Sequence, residues 1–451
     1  MNRSVILSTF RFVGALIVLV GSTTLTEALE ITPVKSPGGI EAWLVEDHKN
    51  PIITIRASFA GGSRTDPPGK PGLAYLVSGL LDEGAGNLDS PTFQKVLEEN
   101  SISLSFNTRT DTFSTSLSTL TETSEKAFHL MRLAMTEPRF DAEPFARIRS
   151  QVIAGLRSRR ENPKRIAGRV WWKAAFPDHP YGMARRGTEA TLAQITKDDL
   201  QAYVKSQFVR QGLFIGVVGD ITPERLSQVL DQVFGTLPLH SEAPTIKTTT
   251  PAAVGETMIV ERPLPQSVVV FGHKGILRDD PDWYAATVLF EILAGGFGSR
   301  LTEEIREKRG LTYGVSAYPL PLDYVGLVVG SVSTMNARVR ESINLVRQIW
   351  GEFGEHGPTD QEVRDAKAYI NGSYGLRFTD SGTIAGLLTA VQRSKLGIDY
   401  INRRPDLIEA VSLEDLRRVA KRLFKVDELT FAIVGKPDGV YPTRPAPDPE
   451  S

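Results

Sequence analysis

The chain has 451 residues and nearly balanced charge, with 52 Lys and Arg against 53 Asp and Glu, and a length of this order predicts two or three domains. The charge balance argues against a broad nucleic-acid-binding surface, which needs many cations facing phosphates, although it does not exclude a local basic patch. Because cysteine is absent, disulfides, thiolate catalysis and thiolate metal sites are excluded, and a metal would need histidine and carboxylate ligands.

The first 28 residues have the organisation of a secretory signal peptide. Arg3 and Arg11 lie before an apolar run at residues 12–20, and a more polar stretch ends at Ala28, where we expect cleavage. A helix over that run would rise only about 14 Å, roughly half the hydrocarbon core of a bilayer, so an uncleaved anchor is the less favoured alternative. The prediction is export to the periplasm, with no stable membrane span after cleavage.

Short strand and helix patterns follow one another through the first half of the remaining chain. Partly alternating β-branched and apolar residues predict strands at residues 40–45, 52–59, 102–106 and 112–117. An apolar run, helical periodicity or a helix-starting Ser90-Pro91 pair predicts helices at residues 72–81, 90–97, 124–135 and 142–159. The second half shows the same kinds of pattern. Its strands are predicted at residues 268–271, 314–318 and 326–332, and its helices at residues 284–294, 299–308, 337–353 and 360–373.

An internal repeat relates the two halves. Residues 195–208 resemble residues 411–424, and each segment leads into a short β-type run that ends in Gly219 or Gly435 at the same offset. We therefore predict an α+β fold made of two homologous layered halves, 29–237 and 256–436, each with an antiparallel-rich sheet and helices on one face. A proline-containing linker at 238–255 joins them, and the tail at 437–451, with five prolines, is expected to be disordered.

The most distinctive segment of the first half is the glycine- and proline-rich connection at residues 61–72, which leads into the buried helix predicted there. Together with Leu73 and Ala74 it resembles the segment before the zinc-binding helix of the insulinase/pitrilysin (mitochondrial-processing-peptidase-like) metallopeptidase family. In active members that helix carries His-x-x-Glu-His, in which two histidines bind zinc and the glutamate activates the metal-bound water. The resemblance implies that the two duplicated halves form a clamshell.

This chain departs from the zinc motif at every chemical position. An ungapped alignment puts Tyr75 and Gly79 at the histidine positions and Ser78 at the glutamate position. The family's third ligand, a glutamate on a later helix, falls in residues 151–157, which contain no carboxylate. The six histidines are scattered singly, and the adjacent pair Asp82-Glu83 is interpreted as a helix end rather than a cation site. We therefore expect no metal in this chain, and the resemblance places zinc in a partner subunit.

Residues 294–315 resemble the family's C-terminal signature, in which the arginine and tyrosine of Arg-Gly-Leu-x-Tyr form the R/Y pair. Here the pair is Arg309 and Tyr313. The resemblance implies that both donate hydrogen bonds to a peptide near its scissile carbonyl, and guanidinium and phenol groups suit that task. The alternative is structural: cations favour a helix C-terminus, Gly310 is a usual residue after a helix, and Tyr313 would begin the next strand.

Three glycines precede the R/Y pair, Gly295, Gly296 and Gly298. They do not form a phosphate-binding loop, because no Lys-Ser/Thr follows at the required place. We interpret them as a flexible or tightly turned loop that faces substrate.

These features predict a non-catalytic subunit of a heterodimeric periplasmic zinc peptidase, inactive alone. The expected partners are a homologous subunit that carries His-x-x-Glu-His and a peptide substrate, with no nucleic acid. One alternative is a structural or peptide-binding protein of the same fold without a role in proteolysis. A metalloenzyme that uses other ligands is a third and weaker hypothesis, because the ligands are missing rather than moved.

Overall fold

The computed structural model describes residues 29–241 and 245–449, so the predicted signal peptide at 1–28 lies outside the described residues. Within these ranges the strands are β1 Thr32–Lys35, β2 Glu41–Glu46, β3 Ile52–Ala60, β4 Ser103–Thr108, β5 Thr112–Leu120, β6 Leu213–Gly219, β7 Thr257–Glu261, β8 Gln266–Lys274, β9 Val315–Pro321, β10 Gly326–Met335 and β11 Thr430–Gly435.

The helices of the first half are α1 Leu73–Ser78, α2 Ser90–Glu99, α3 Ser124–Thr136, α4 Ala142–Arg160, α5 Pro163–Ala175, α6 Glu189–Gln194, α7 Lys197–Gln207 and α8 Pro223–Phe234. Those of the second half are α9 Trp283–Ala294, α10 Val339–His356, α11 Asp360–Gly372, α12 Ser381–Arg393, α13 Tyr400–Glu409 and α14 Leu413–Leu423.

The two sheets share one strand order, as the repeat predicts, except that the first has an additional edge strand, β1. The first sheet runs β1-β2-β6-β3-β5-β4 and the second runs β7-β11-β8-β10-β9. In each, a strand late in the half enters between two earlier ones: β6 pairs in parallel with β2 and antiparallel with β3, and β11 does the same with β7 and β8. The predicted α+β class with two homologous halves is confirmed.

The repeated segment also forms the same local structure in each half. Helix α7 begins with a capping box in which Thr196 and Asp199 exchange side-chain and backbone hydrogen bonds, and α14 begins with the equivalent box of Ser412 and Asp415. One predicted helix is altered: where the sequence predicts a helix at 299–308, residues Thr302–Glu307 form a π-helix, and the N–H of Lys308 donates to the carbonyl of Glu303.

Each half buries its own hydrophobic core against one face of its sheet. The core of the first half joins alternate residues of β3, such as Ile55 and Phe59, to helices α1, α3 and α8. The core of the second half centres on Phe271 of β8 and Trp350 of α10. This one-sided arrangement is the predicted layering of a sheet with its own helices.

The other face of each sheet is covered by a helix from the opposite half. Helix α12 packs on β6, where a Cβ atom at Gly216 would lie 2.4 Å from the carbonyl oxygen of Ala385. Helix α5 packs on the second sheet, where a Cβ atom at Gly272 would lie 2.9 Å from the indole of Trp171. Both contacts require glycine because the helix approaches the strand too closely for a side chain. The halves therefore share two cores through exchanged helices.

One prediction about the connecting segments needs correction. The tail was expected to be disordered, but its described part to residue 449 is tied to the fold, because the N–H groups of Thr443 and Arg444 donate to the carbonyl of Thr257. Thr257 begins β7, an edge strand with free acceptors. The end of the predicted linker, of which residues 242–244 are not described, packs against the fold: Ala253 is buried, and the N–H of Ala252 donates to the carbonyl of Ala175. Within the described ranges, no helix is long and apolar enough to span a membrane.

Candidate functional site

Helix α1 carries the positions of the degenerate zinc motif and is held in place by a buried carboxylate. Asp66 accepts hydrogen bonds from the N–H groups of Gly72 and Ala74, each at 2.8 Å, and so satisfies donors at the start of the helix. Burial raises the pKa of Asp66 to about 7, although these backbone donors favour its ionised form. Gly72 adopts φ 96°, a left-handed conformation that permits the sharp entry into the helix.

The structure brings the three motif positions together on one face of α1. Tyr75, Ser78 and Gly79 are half-buried, whereas Leu76 and Val77 between them are buried. The hydroxyl of Ser78 donates to the carbonyl of Tyr75 at 2.8 Å, so it is engaged within its own helix. This face offers a phenol, an engaged hydroxyl and a glycine, which do not provide the imidazole and carboxylate groups that bind zinc.

The surroundings of this face also disfavour a metal ion. The guanidinium of Arg186 lies over the ring of Tyr75, 4.5 Å from its centroid, and places a cation beside the motif. Helix α4, which includes the third-ligand region 151–157, contacts α1, and its Ile148 lies 3.3 Å from the Cβ position of Gly79. Across residues 29–241 and 245–449, no three histidine, aspartate or glutamate side chains are grouped to hold a metal. The residues present therefore do not fit the family's zinc ion.

The pair Asp82-Glu83 lies in the turn beyond α1, so it marks the end of the helix as predicted, but it is not on the helix itself. Glu83 accepts hydrogen bonds from Arg147 and from the hydroxyl of Ser90, both at 2.5 Å. Burial raises the pKa of Asp82 to about 6. Arg147 balances the charge of Glu83, which fits a structural role for this turn.

An arginine-rich cavity beside α1 was not predicted from the sequence. Its volume is about 490 Å³, and its lining includes Arg159, Arg165, Arg185 and Arg186. The sequence contains one hint, since Arg159-Arg160 and Arg185-Arg186 are adjacent pairs. Those pairs are distant along the chain, so only the packing of α4, α5 and the segment after α5 makes them one site.

The R/Y segment lies in the second half, between the π-helix and β9. Arg309 donates through Nη1 to the carbonyl of Glu304 at 2.8 Å and to its carboxylate at 2.6 Å, which is the helix-end contact that the structural alternative predicts. Gly310 has φ 58° and follows the helix in the left-handed conformation. Hydrogen bonds from Lys308 and Arg309 lower the pKa of Glu304.

Tyr313 does not begin the next strand, because β9 starts at Val315. It occupies a turn in which the hydroxyl of Thr312 accepts from the N–H of Gly314, and its side chain is 88% exposed. Among the described residues, its phenol has no hydrogen-bond partner. Tyr313 is therefore presented to solvent a few residues from Arg309.

The three glycines lie in the loop between α9 and the π-helix. Gly295 follows the last residue of α9, and Gly296 and Gly298 have open space where a Cβ atom would lie. Phe297 between them is 75% exposed, and the guanidinium of Arg306 lies 4.9 Å from its ring centroid. The loop and Tyr313 are exposed on either side of the π-helix, which buries Thr302 and Ile305, whereas α1 lies beside the other sheet.

Comparisons with known proteins agree with this architecture. Residues 42–189 match the model of the insulinase family (peptidase family M16), and residues 194–370 match the model of the peptidase M16 inactive domain. The non-peptidase homolog YmxG of Helicobacter pylori is 28% identical over 395 residues, which cover 86% of this chain and 90% of that protein.

Two solved structures are similar in fold. The peptidase M16 inactive domain from Pseudomonas fluorescens matches with a TM-score of 0.85 and 28% identity, covering 92% of this chain and 100% of that one. A protease from Helicobacter pylori matches with a TM-score of 0.79 and 18% identity, covering 90% and 99%, which is a likeness of fold alone. The chain belongs to the insulinase (M16) family of metallopeptidases, as a member that lacks the zinc-binding residues of that family.

Proposed function

We propose that this protein is the non-catalytic, substrate-positioning subunit of a heterodimeric periplasmic zinc peptidase. In this proposal a homologous partner carries His-x-x-Glu-His and its zinc ion, and residues 1–28 direct export. Arg309 and Tyr313 of this chain then donate hydrogen bonds to the peptide carbonyl as its oxygen gains negative charge. Zinc in the partner supplies the activated water.

The observation that carries the proposal is the exposure of Tyr313. A phenol that is 88% exposed, in a turn fixed by Thr312 and Gly314, contributes little to the stability of its own half. Arg309 uses Nη1 for Glu304, while its Nε and Nη2 atoms make no hydrogen bond with the residues described. Both side chains keep donors that no described residue uses, as an action on a bound substrate requires.

The decisive experiment reconstitutes the pair. The chain without residues 1–28 is purified alone and with a His-x-x-Glu-His homologue from the same genome, and zinc content and peptide cleavage are measured for each. We expect cleavage only in the mixture. Arg309→Ala should lower kcat/KM of the mixture by about 10²- to 10³-fold, since it removes a donor to the developing oxyanion.

Arg340→Ala is the matched control, because Arg340 is an exposed arginine of α10 in the same half. It should leave cleavage unchanged. Unaltered cleavage by the Arg309→Ala mixture would contradict the proposal. Binding of peptide without cleavage in any mixture would instead favour the structural or peptide-binding alternative, and stoichiometric zinc in the lone chain would favour an independent metalloenzyme.

A further inference from the structure

The arginine-rich cavity beside α1 has a large excess of positive charge. Seven of its lining residues are arginines, and Glu189 is the one acidic residue among the described residues that line it. Glu189 is already engaged, because Arg157 and Arg160 bind its carboxylate at 2.9 and 3.2 Å. Among the described lining residues, the guanidinium groups of Arg159, Arg165 and Arg186 therefore have no carboxylate to balance them. We call this site the arginine pocket.

Several of these guanidinium groups lack partners within the described chain. The side chains of Arg159 and Arg165 make no hydrogen bond or ion pair there, and the buried Nε of Arg186 has no acceptor. Burial and the neighbouring charges of Arg186 and Arg165 lower the pKa of Arg159, although a guanidinium stays protonated at neutral pH. Like charges held this closely repel one another, and an anion that binds among them removes that cost.

The pocket walls match an organic ligand better than a bare inorganic ion. Leu156, Ile166 and Trp172 contribute apolar surface between the arginines. Arg185 is fixed by a hydrogen bond of 3.1 Å to the carbonyl of Thr108, the last residue of the edge strand β4. Fixed cations on a partly apolar wall suit a ligand that carries anionic groups on a hydrocarbon frame.

The tail of the chain itself reaches the rim of the pocket. Pro449 of the tail lines it, and the carbonyl of the preceding Asp448 accepts a hydrogen bond from Lys173 of α5 at 3.2 Å. The rim therefore accommodates a polypeptide segment that contains an acidic residue. This observation favours a peptide over other carboxylate-bearing molecules.

We propose that the arginine pocket binds the carboxylate side chains of an acidic peptide segment. Guanidinium groups pair with carboxylates through two parallel hydrogen bonds, so neighbouring arginines select closely spaced Asp or Glu residues. The inference deepens the proposed function, on which it rests for peptide as the ligand class, by naming the kind of peptide. Most of the lining belongs to the first half, Arg262 and Pro449 come from later in the chain, and the site requires neither Arg309 nor a partner subunit.

The test measures binding by the lone chain without residues 1–28. Two fluorescent peptides of about twelve residues are compared by anisotropy, one with four Glu or Asp residues among apolar ones and one with Gln and Asn in their places. We expect the acidic peptide to bind at least about tenfold tighter, with the difference shrinking in about 1 M NaCl, where the Debye length is about 3 Å. Equal affinities at low salt would overturn the proposal.

Variants then locate the site. Arg159→Gln/Arg165→Gln should weaken binding of the acidic peptide by about tenfold or more and leave the neutral peptide unaffected. The matched control Arg340→Gln/Arg364→Gln removes the same charge from exposed positions on α10 and α11 and should retain full affinity. Equal losses in both double variants would show that overall charge, rather than the pocket, attracts the peptide.

Tripolyphosphate tests the ligand class. The carboxylate site is supported if millimolar tripolyphosphate displaces the acidic peptide only at ionic strengths at which NaCl also displaces it. Tight binding of tripolyphosphate that depends on Arg159 and Arg165, without binding of the acidic peptide, would overturn the proposal in favour of a phosphate ligand. Because no cleavage is measured, failure here is distinct from failure of the reconstituted pair.

Discussion

The two halves share a strand order but differ at the segments that carry chemistry in their family. On α1, Tyr75 lies under Arg186, Ser78 is bonded within its own helix, and the Cβ position of Gly79 faces Ile148. In the second half Tyr313 is 88% exposed and its phenol is unpaired within the described chain. The side chains of the first segment interact with residues of their own half, whereas the second segment still offers hydrogen-bond donors to another molecule.

The largest effect should come from what the halves have in common, the exchanged helices. Trp171 of α5 is buried on the second sheet and donates to the carbonyl of Thr430 at 3.2 Å, and Leu388 of α12 is buried on the first. Trp171→Ala should lower the free energy of unfolding by about 3–5 kcal/mol and Leu388→Ala by about 2–5 kcal/mol, each in urea titrations.

The exposed Leu239→Ala is the control for both, with an expected change within about 0.5 kcal/mol. Because the halves share their cores, each protein should unfold in a single transition. Separate unfolding transitions for the two halves would contradict the shared cores. A change in the free energy of unfolding below about 1 kcal/mol in either core variant would contradict them as well.

A direct test of the difference between the halves compares one hydroxyl from each segment. In the reconstituted mixture, Tyr313→Phe should lower kcat/KM by about 10- to 100-fold, since it removes one neutral donor to the transition state. Ser78→Ala should leave kcat/KM unchanged, because that hydroxyl already donates to Tyr75. A similar loss in both variants, or in neither, would show that the two segments do not differ as proposed.

A further comparison concerns the pH dependence of the first half. The pKa of Asp66 is about 7 in the folded protein against 3.8 for an unperturbed aspartate, so between these values the folded state holds a proton that the unfolded chain releases. Stability should therefore fall as pH rises from about 4 to 7, by up to about 1.4 kcal/mol per pH unit from this group.

Asp66→Asn removes that titration while keeping one acceptor oxygen for the donors at the start of α1. Urea titrations at pH 5 and pH 7.5 should show a smaller difference for Asp66→Asn than for the unaltered protein. An identical difference in the two proteins would mean that Asp66 is ionised throughout this range.

Local pattern was sufficient to predict much of the fold. Alternation predicted β3, β5 and β10, helical periodicity predicted α3 and α10, and the repeat predicted the shared position of β6 and β11. Periodicity did not show that part of the helix predicted at residues 299–308 would form a π-helix, which is a rare conformation that usually occupies a single turn. The prediction of a disordered tail was wrong because proline content does not show that the tail can donate hydrogen bonds to the carbonyl of Thr257 on the edge strand β7.

The features of the candidate site also divide into those that the sequence shows and those that only the structure shows. The loss of the zinc motif at Tyr75, Ser78 and Gly79 can be recognised from the sequence alone, since the ligands on one helix face lie three and four positions apart. The arginine pocket joins α4, α5 and the segment that contains Arg185 and Arg186, and the exchanged helices join residues more than 90 positions apart. The sequence alone determined which chemistry the first half lacks. Only the tertiary structure decided which surfaces remain open, because burial and charge clustering depend on neighbours that are remote along the chain.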